Sequence, residues 1–153
     1  MIVLDEQSTK IAIIVGIVVS MFWYEKKNLS PGGVIVPGVT ALFLLTDPLI
    51  VGITLMVALI TAFVVRNMSN YIILFGRRRF SMVILISFGI IWIVDRLTYS
   101  IMPPTEIHVL GYIIPGLVAN EMERQGSLKT LYSLSTITML TLLLLLPVIG
   151  WSW

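Results

Sequence analysis

The hydrophobic residues of this chain form long runs separated by short polar stretches, a pattern typical of membrane-spanning helices. Four runs are long enough, or nearly long enough, to cross a bilayer as one helix: positions 8–24, 49–65, 81–101 and 128–148. A helix rises about 1.5 Å per residue, so the shortest runs span about 25 Å. We therefore predict four long helices.

Two shorter apolar windows follow one pattern, Gly-x-Ile-x-Pro-Gly-x-x-Ala, at positions 33–41 and again 78 residues later at 111–119. Proline has no N–H and disfavours helix in the residue before it, and glycine relaxes the backbone. The pattern predicts a helix break in each window. The residues of the two breaks, with the polar residue that follows the second window, are Gly33, Pro37, Gly38, Gly111, Pro115, Gly116 and Asn120.

The repeated window divides the chain into two similar halves, at about 8–66 and 81–150, joined by an interfacial segment at 67–80. The apolar stretch 33–45 is about 20 Å long as a helix, less than the roughly 30 Å of the hydrocarbon layer. Each window therefore crosses as a half-helix plus extended backbone, or dips in and returns. Paired interruptions of this kind point to a membrane binding site. Two plain turns between ordinary spans are the simpler alternative.

Composition and charge placement favour one of these topologies. The chain is 58% hydrophobic and 12% charged, whereas about 25% of residues are charged in soluble domains. Six crossings with the N-terminus outside place eight of the ten Lys and Arg residues in the cytoplasm, whereas re-entrant windows divide them five and five. The positive-inside rule favours the first arrangement. We predict an all-α polytopic membrane protein, one membrane domain over 1–153, with three crossings per half and inverted topology.

Two charged features are further candidates. Arg77, Arg78 and Arg79 follow a short apolar segment that we predict to be an interfacial helix; they either contact a partner or polyanion, or anchor the chain to anionic lipid. Asp95 and Arg96 lie towards the end of the run 81–101. An ionisable pair within a membrane span is a site hypothesis by default, although side chains near a span end can also reach the interface.

Several classes of chemistry find no support in the sequence. The chain has no Cys and a single His, so disulfides, Cys-ligated metals and His-based zinc sites are not expected. No phosphate-binding loop or metalloprotease motif is present. Helix N-termini after Pro37 and Pro115 would instead offer free N–H groups that favour an anion. We expect a non-catalytic site for a negatively charged ligand, with no metal, cofactor or nucleic acid.

Three segments together resemble a known family. They are Ser30-Pro31 with Gly33 and Pro37-Gly38, the run Tyr-Ile-Ile-Leu-Phe-Gly-Arg-Arg-Arg-Phe at 71–80, and Ile-Ile-Pro-Gly-Leu-Val-Ala-Asn at 113–120 followed by Gln125-Gly126. The chain is similar, nearly end to end, to the small membrane subunit of bacterial and archaeal poly-γ-glutamate (capsule) synthase, the PgsC/CapC family. It departs from that pattern at Phe75, where the family has tyrosine, and at Arg79, where it has lysine.

This resemblance implies a multi-pass protein in the plasma membrane of a bacterium or archaeon, and a partner complex. A cytoplasmic Mur-ligase-like ATPase would bind ATP and Mg and activate the glutamate γ-carboxylate as an acyl phosphate. A membrane-anchored capsule subunit would assist transport of the polyglutamate. The catalytic residues of the family belong to the ligase, so this chain is expected to be an essential subunit without catalytic residues of its own.

Two other functions remain open from the sequence. A stand-alone secondary transporter could be built on the same repeat, and at 153 residues it would need to form a homo-oligomer to enclose a pathway. A purely structural membrane anchor would use the Pro-Gly windows only as kinks and the arginine run only to bind the lipid bilayer.

Overall fold

The computed structural model describes residues 6–69, 76–98 and 108–150. These residues form six α-helices, which occur in the order α1 (Glu6–Lys27), α2 (Val36–Thr46), α3 (Pro48–Ser69), α4 (Arg77–Thr98), α5 (His108–Gln125) and α6 (Ser127–Gly150). The described part of the chain has no other regular structure, which confirms the all-α prediction.

Single residues reverse the chain at two of the connections, α2–α3 and α5–α6. Asp47 separates α2 from α3, and its N–H donates to the carbonyl of Phe43 at 2.8 Å. Gly126, with φ of 98°, separates α5 from α6, and its N–H donates to the Met122 carbonyl at 2.9 Å. Connections this short make the joined helices antiparallel neighbours.

Two of the described helices are long and apolar enough to cross a membrane, namely α3 over Pro48–Ser69 and the part Ser127–Pro147 of α6. The shorter helix α2 is also apolar. Its residues from Val36 to Phe43 are all buried, so α2 is surrounded by protein over most of its length.

The bundle is built around α2 and α5, each of which packs against four other helices. Helix α2 packs against α1, α3, α5 and α6, and α5 packs against α2, α3, α4 and α6. The main hydrophobic core includes Val36 of α2, Ala58 of α3, Val83 of α4, Val118 of α5 and Leu134 of α6. The short Pro-Gly helix and the second Pro-Gly helix therefore form the centre, with the longer helices around them.

The prediction of a helix break at Pro115 is wrong. Helix α5 begins at His108 and continues through Pro115, whereas α2 begins beside Pro37. The difference lies in the residues before each proline, because Gly32 and Gly33 have φ of 88° and 117° and hold the first segment out of a helix. The second segment has no such pair. Pro115 then removes one hydrogen bond, and burial within the bundle allows the helix to continue.

The predicted interfacial segment 67–80 is described only at its two ends. Helix α3 extends to Ser69 and α4 begins at Arg77, so the arginine run forms the first turn of α4. The carbonyl of Gly76 accepts the Phe80 N–H at 3.4 Å, so Gly76 precedes α4. Residues 70–75 lie outside the described residues.

Candidate functional site

The first Pro-Gly pair lies in direct backbone contact with α1. A Cβ atom placed on Gly16 would come within 2.5 Å of the Gly38 Cα. A Cβ atom on Gly38 would come within 2.9 Å of the Ala12 carbonyl oxygen and 3.0 Å of the Ile13 Cα. These neighbours are backbone atoms that a flexible side chain cannot relieve, so α1 and α2 can approach this closely only with glycine at both positions.

The second Pro-Gly pair contacts α4 in a similar but looser way. A Cβ atom on Gly116 would lie 3.3 Å from the Cβ of Ser87 and 3.4 Å from the Cα of Ile84. The α4 residues are three apart, as are Ile13 and Gly16 on α1. The glycine of each repeated motif thus packs against one neighbouring helix over one helical turn.

Buried hydroxyl groups accompany the first motif. The Thr40 hydroxyl lies 2.9 Å from the Val36 carbonyl oxygen and 3.0 Å from the Thr138 hydroxyl on α6. In contrast, the hydroxyls of Ser87 and Ser133 are buried and have no hydrogen-bond partner within the described part of the chain. The α2–α6 contact therefore contains a satisfied polar link in an otherwise apolar core.

The non-helical segment 28–35, between α1 and α2, is attached to the end of α5. The Ser30 N–H donates to Gln125 Oε1 at 2.9 Å, and Gln125 Nε2 donates to the Ser30 carbonyl. Gln125 Nε2 also donates to Thr130 Oγ1 at 3.0 Å. About two turns deeper along α5, a Cβ atom on Gly32 would lie 2.9 Å from Val118 Cγ2. This attachment was not predicted, and its only signal was the presence of Ser30 and Gln125 in the family segments.

Helix ends from both halves of the chain meet at one end of the bundle. The Ser30–Gln125 pair joins the α1–α2 connection to the α5–α6 connection. Helix α3 returns antiparallel to α2 after the single-residue turn at Asp47, and α4 begins after seven further residues, so the end of α3 and the start of α4 also lie towards this end of the bundle. We call this the basic end. Its Lys and Arg residues are Lys26, Lys27, Arg66, Arg77, Arg78, Arg79, Arg124 and Lys129.

The electrostatic surroundings of these cations differ. Arg124 forms an ion pair with Glu121 at 2.9 Å. Arg77 and Arg78 are exposed and Arg79 is half-buried in the first turn of α4, which contains no acidic residue. The positive end of a helix dipole disfavours cations there, so the arginine run gains no stabilisation from its own helix.

The other predicted site residues lie apart from the basic end or beyond what the structure describes. Arg96 is in the last turn of α4, at the opposite end of the helix from Arg77, with its guanidinium 5.7 Å from the Trp92 ring centroid. The Asp95 side chain and the surroundings of Gly111 lie outside the described residues. Asn120 is half-buried, one turn after Gly116.

No group of three or more potential metal ligands occurs within the described ranges. The described residues of this site offer hydrogen-bonding and cationic groups, and such groups can bind or position an anion.

The fold and this site define an all-helical bundle with a markedly basic end, of a kind suited to a membrane. A family model described as "Capsule biosynthesis CapC" matches residues 15–131. The chain is 35% identical over 119 residues to "PGA biosynthesis protein CapC" of Bacillus subtilis (strain 168), which covers 76% of this chain and 78% of that protein. It is 32% identical over 119 residues to "Capsule biosynthesis protein CapC" of Bacillus anthracis, with the same coverage.

The chain belongs to the CapC capsule-biosynthesis family, which confirms the resemblance found in the sequence. Membership indicates involvement in the biosynthesis of a capsule or of poly-γ-glutamate. Together with the two apolar helices, it also indicates a membrane location. No solved structure matches the chain.

Proposed function

We propose that this chain is a multi-pass membrane subunit of a poly-γ-glutamate (capsule) synthase complex. It supports polymerisation by a cytoplasmic ATP-dependent amide ligase and guides the polyanion into or across the membrane. The observation that carries this proposal is the collection of eight basic residues at one end of a bundle that belongs to the CapC family. A cationic surface on the cytoplasmic side suits both an acidic partner surface and an acidic polymer.

The direction of α2 supports six crossings. Gly38 contacts α1 near Gly16, about 16 Å along the helix from Lys27, so α2 begins deep in the bundle. Further along, Leu42 packs with Leu145 near the far end of α6. The segment 28–46 therefore runs from the basic end to the opposite end, as a crossing requires. A re-entrant window would bring Thr46 back to the basic end.

The packing of the helices supports two inverted halves. When α1 is exchanged with α4, α2 with α5 and α3 with α6, each packed pair of helices becomes another packed pair. The pair α1–α2 becomes α4–α5, α2–α3 becomes α5–α6, α2–α6 becomes α3–α5, and α1–α6 becomes α3–α4. The central pair α2–α5 becomes itself. Three helices per half is an odd number, so the halves have opposite orientations in the membrane.

The pattern of buried positions along α3 and α6 agrees with the exchange of these two helices. Five of the six buried positions of α3, namely 54, 57, 58, 61 and 65, reappear as buried positions of α6 at 134, 137, 138, 141 and 145, a shift of 80. The shift is 78 between the Pro-Gly motifs and 79 between the single turn residues Asp47 and Gly126, so it grows by two residues between the motif and the buried positions of the last helix in each half. These positions support a repeat that extends beyond the motif.

The arginine run is the proposed contact for the ligase or the polymer. A guanidinium forms paired hydrogen bonds with a carboxylate, and poly-γ-glutamate presents one carboxylate per residue. Because the first turn of α4 contains no acidic residue, these side chains have no carboxylate partner within that turn. The ligase would bind ATP and Mg, and a membrane-anchored capsule subunit would act on the outer side; this chain would need no cofactor.

The inverted repeat also favours a second candidate, a stand-alone secondary transporter, because many such transporters have this architecture. A synthase subunit needs the ligase, whereas a stand-alone transporter and a purely structural anchor do not. Affinity purification of the tagged chain from detergent-solubilised membranes distinguishes them. We expect a Mur-ligase-like ATPase to co-purify in near-equal amount. Recovery of the chain without an ATPase, from cells that make the polymer, would contradict the proposal.

A further inference from the structure

The side chain of Gln125 is hydrogen-bonded to the segment 28–35. Among the described residues, this is the only non-helical segment longer than two residues. In the segment 28–35, Pro31 and Gly32 are buried, so their backbone lies among protein atoms with no neighbouring turn of helix to satisfy it. Asn28, Gly32 and Gly33 have positive φ, at 57°, 88° and 117°. Such a segment cannot pair its own backbone groups as a helix does, and unpaired groups in a membrane must be satisfied by other parts of the protein.

Gln125 supplies that pairing for Ser30, from the other half of the chain. Its amide accepts the Ser30 N–H at 2.9 Å and donates to the Ser30 carbonyl, and its second amide hydrogen reaches Thr130 Oγ1 at 3.0 Å. The carboxamide is suited to this because it carries both a donor and an acceptor. We infer that Gln125 is a positioning residue that fixes the segment 28–35 against α5 and thereby fixes the depth at which α2 begins.

Two observations support this role over a chance surface contact. The contact of Gly32 with Val118 lies about two turns of α5 further into the bundle, so the segment follows α5 beyond the hydrogen bonds. The residue that corresponds to Gln125 in the first half is Thr46, because each ends its helix directly before a single-residue turn. The Thr46 hydroxyl donates to the Leu42 carbonyl of its own helix at 3.2 Å, whereas Gln125 pairs with backbone groups 95 positions away.

The role also explains how the basic end is assembled. Lys26 and Lys27 end α1, and Arg124 and Lys129 lie on either side of the α5–α6 turn. The pairing of Gln125 with Ser30 joins these two parts of the chain. This deepens the proposed function and rests on it for the link to polymer formation; the positioning itself is tested independently.

The test uses a single cysteine at Ser30, since this chain has no cysteine of its own and the Ser30 contacts involve only its backbone. Inside-out membrane vesicles expose the basic end, and the rate of labelling by a charged thiol reagent reports how often the segment leaves α5. The tested backgrounds are Gln125→Met, which has similar length and no amide, and Gln125→Glu, which keeps the acceptor for the Ser30 N–H. Glu123→Met, two residues earlier on α5, is the matched control.

We expect labelling to rise roughly tenfold or more in Gln125→Met, because two hydrogen bonds to Ser30 are lost. Gln125→Glu should give a smaller rise and Glu123→Met none. Should Gln125→Met fail to enter the membrane, the comparison of Gln125→Glu with Glu123→Met decides. Unchanged labelling in the Gln125 variants would overturn the inference. Polymer formed per inserted subunit is measured alongside: raised labelling with normal polymer would uphold the positioning role and contradict its place in the proposed function.

Discussion

Gly16 and Gly38 bring the backbones of α1 and α2 into contact, with a Cβ on Gly16 placed 2.5 Å from the Gly38 Cα. This contact lies beside the first Pro-Gly pair and fixes α2 against its neighbour. The corresponding contact in the second half, between Gly116 and Ser87, leaves 3.3 Å for a Cβ atom. Helix α2 therefore packs more closely against α1 than α5 packs against α4.

Alanine substitutions at these glycines should follow that order. Gly16→Ala should destabilise the bundle by about 1–3 kcal/mol, since the added carbon meets backbone atoms that cannot move aside. Gly116→Ala should cost less. The matched control is Gly52→Ala, because Gly52 is helical with open space around its Cα. It should be neutral or stabilise by up to about 1 kcal/mol through helix propensity. Thermal unfolding in detergent measures all three, and equal effects of Gly16→Ala and Gly52→Ala would contradict the close contact.

Pro115 should matter for function more than for stability. Replacing it by Ala supplies the missing N–H and removes a helix penalty of about 3 kcal/mol at most, so the variant should insert and be at least as stable as the parent chain. If the weakened turn of α5 is needed by the polymer, surface polymer per inserted subunit should fall severalfold. Pro147→Ala, also inside a helix but exposed, is the control. Normal polymer formation in Pro115→Ala would show that this proline is tolerated within α5 and is not required for function.

Topology can be tested with single cysteines in this Cys-free chain. Cysteines at Ser30 and at Leu128, which is 84% exposed, should both be protected from an impermeant reagent added outside intact cells. A cysteine at Thr46, at the far end of α2, should be labelled. Permeabilised cells show that the protected sites are reactive. Labelling of all three sites from outside would contradict six crossings and favour re-entrant windows, because a re-entrant window leaves Ser30 and Thr46 on the same side of the membrane.

The arginine run can be tested without changing its charge. Changing Arg77, Arg78 and Arg79 together to Lys should reduce polymer formation severalfold if they contact carboxylates, because Lys lacks the planar fork of Arg. Lipid anchoring depends mainly on charge and should tolerate Lys. Arg66→Lys, an exposed residue of the same basic end, is the control. Full activity of the triple variant would assign the run to lipid anchoring.

The sequence predicted the helices better than it predicted their breaks. Apolar run length located the described helices because burial in a bundle and in lipid both require long apolar stretches. The identical Pro-Gly pairs suggested identical breaks, yet α2 begins beside Pro37 whereas α5 continues through Pro115. The deciding residues were Gly32 and Gly33, which precede the first motif and have positive φ. A proline alone weakens a helix, and its neighbours determine whether the helix ends.

The sequence indicated the candidate residues of the site, but it did not indicate which of them contact each other. The arginines, the glycines of the motif and the basic end all follow from local sequence and charge counts. The pairing of Gln125 with Ser30 joins residues 95 positions apart through a side chain and a backbone group. Neither hydrophobic periodicity nor spacing carries information on such a contact, which depends on how the two halves pack. The same holds for the approach of Gly16 to Gly38.

The central claim is that this chain supports polymerisation by a partner ligase, and a reconstituted reaction tests it most directly. Membrane vesicles with and without the chain are supplied with purified ligase, ATP, Mg and glutamate, and poly-γ-glutamate is measured together with release of phosphate. We predict that polymer forms only with vesicles that contain the chain, and that the Lys variant of the arginine run gives severalfold less. Equal polymer formation by the ligase with vesicles that lack the chain would contradict the account.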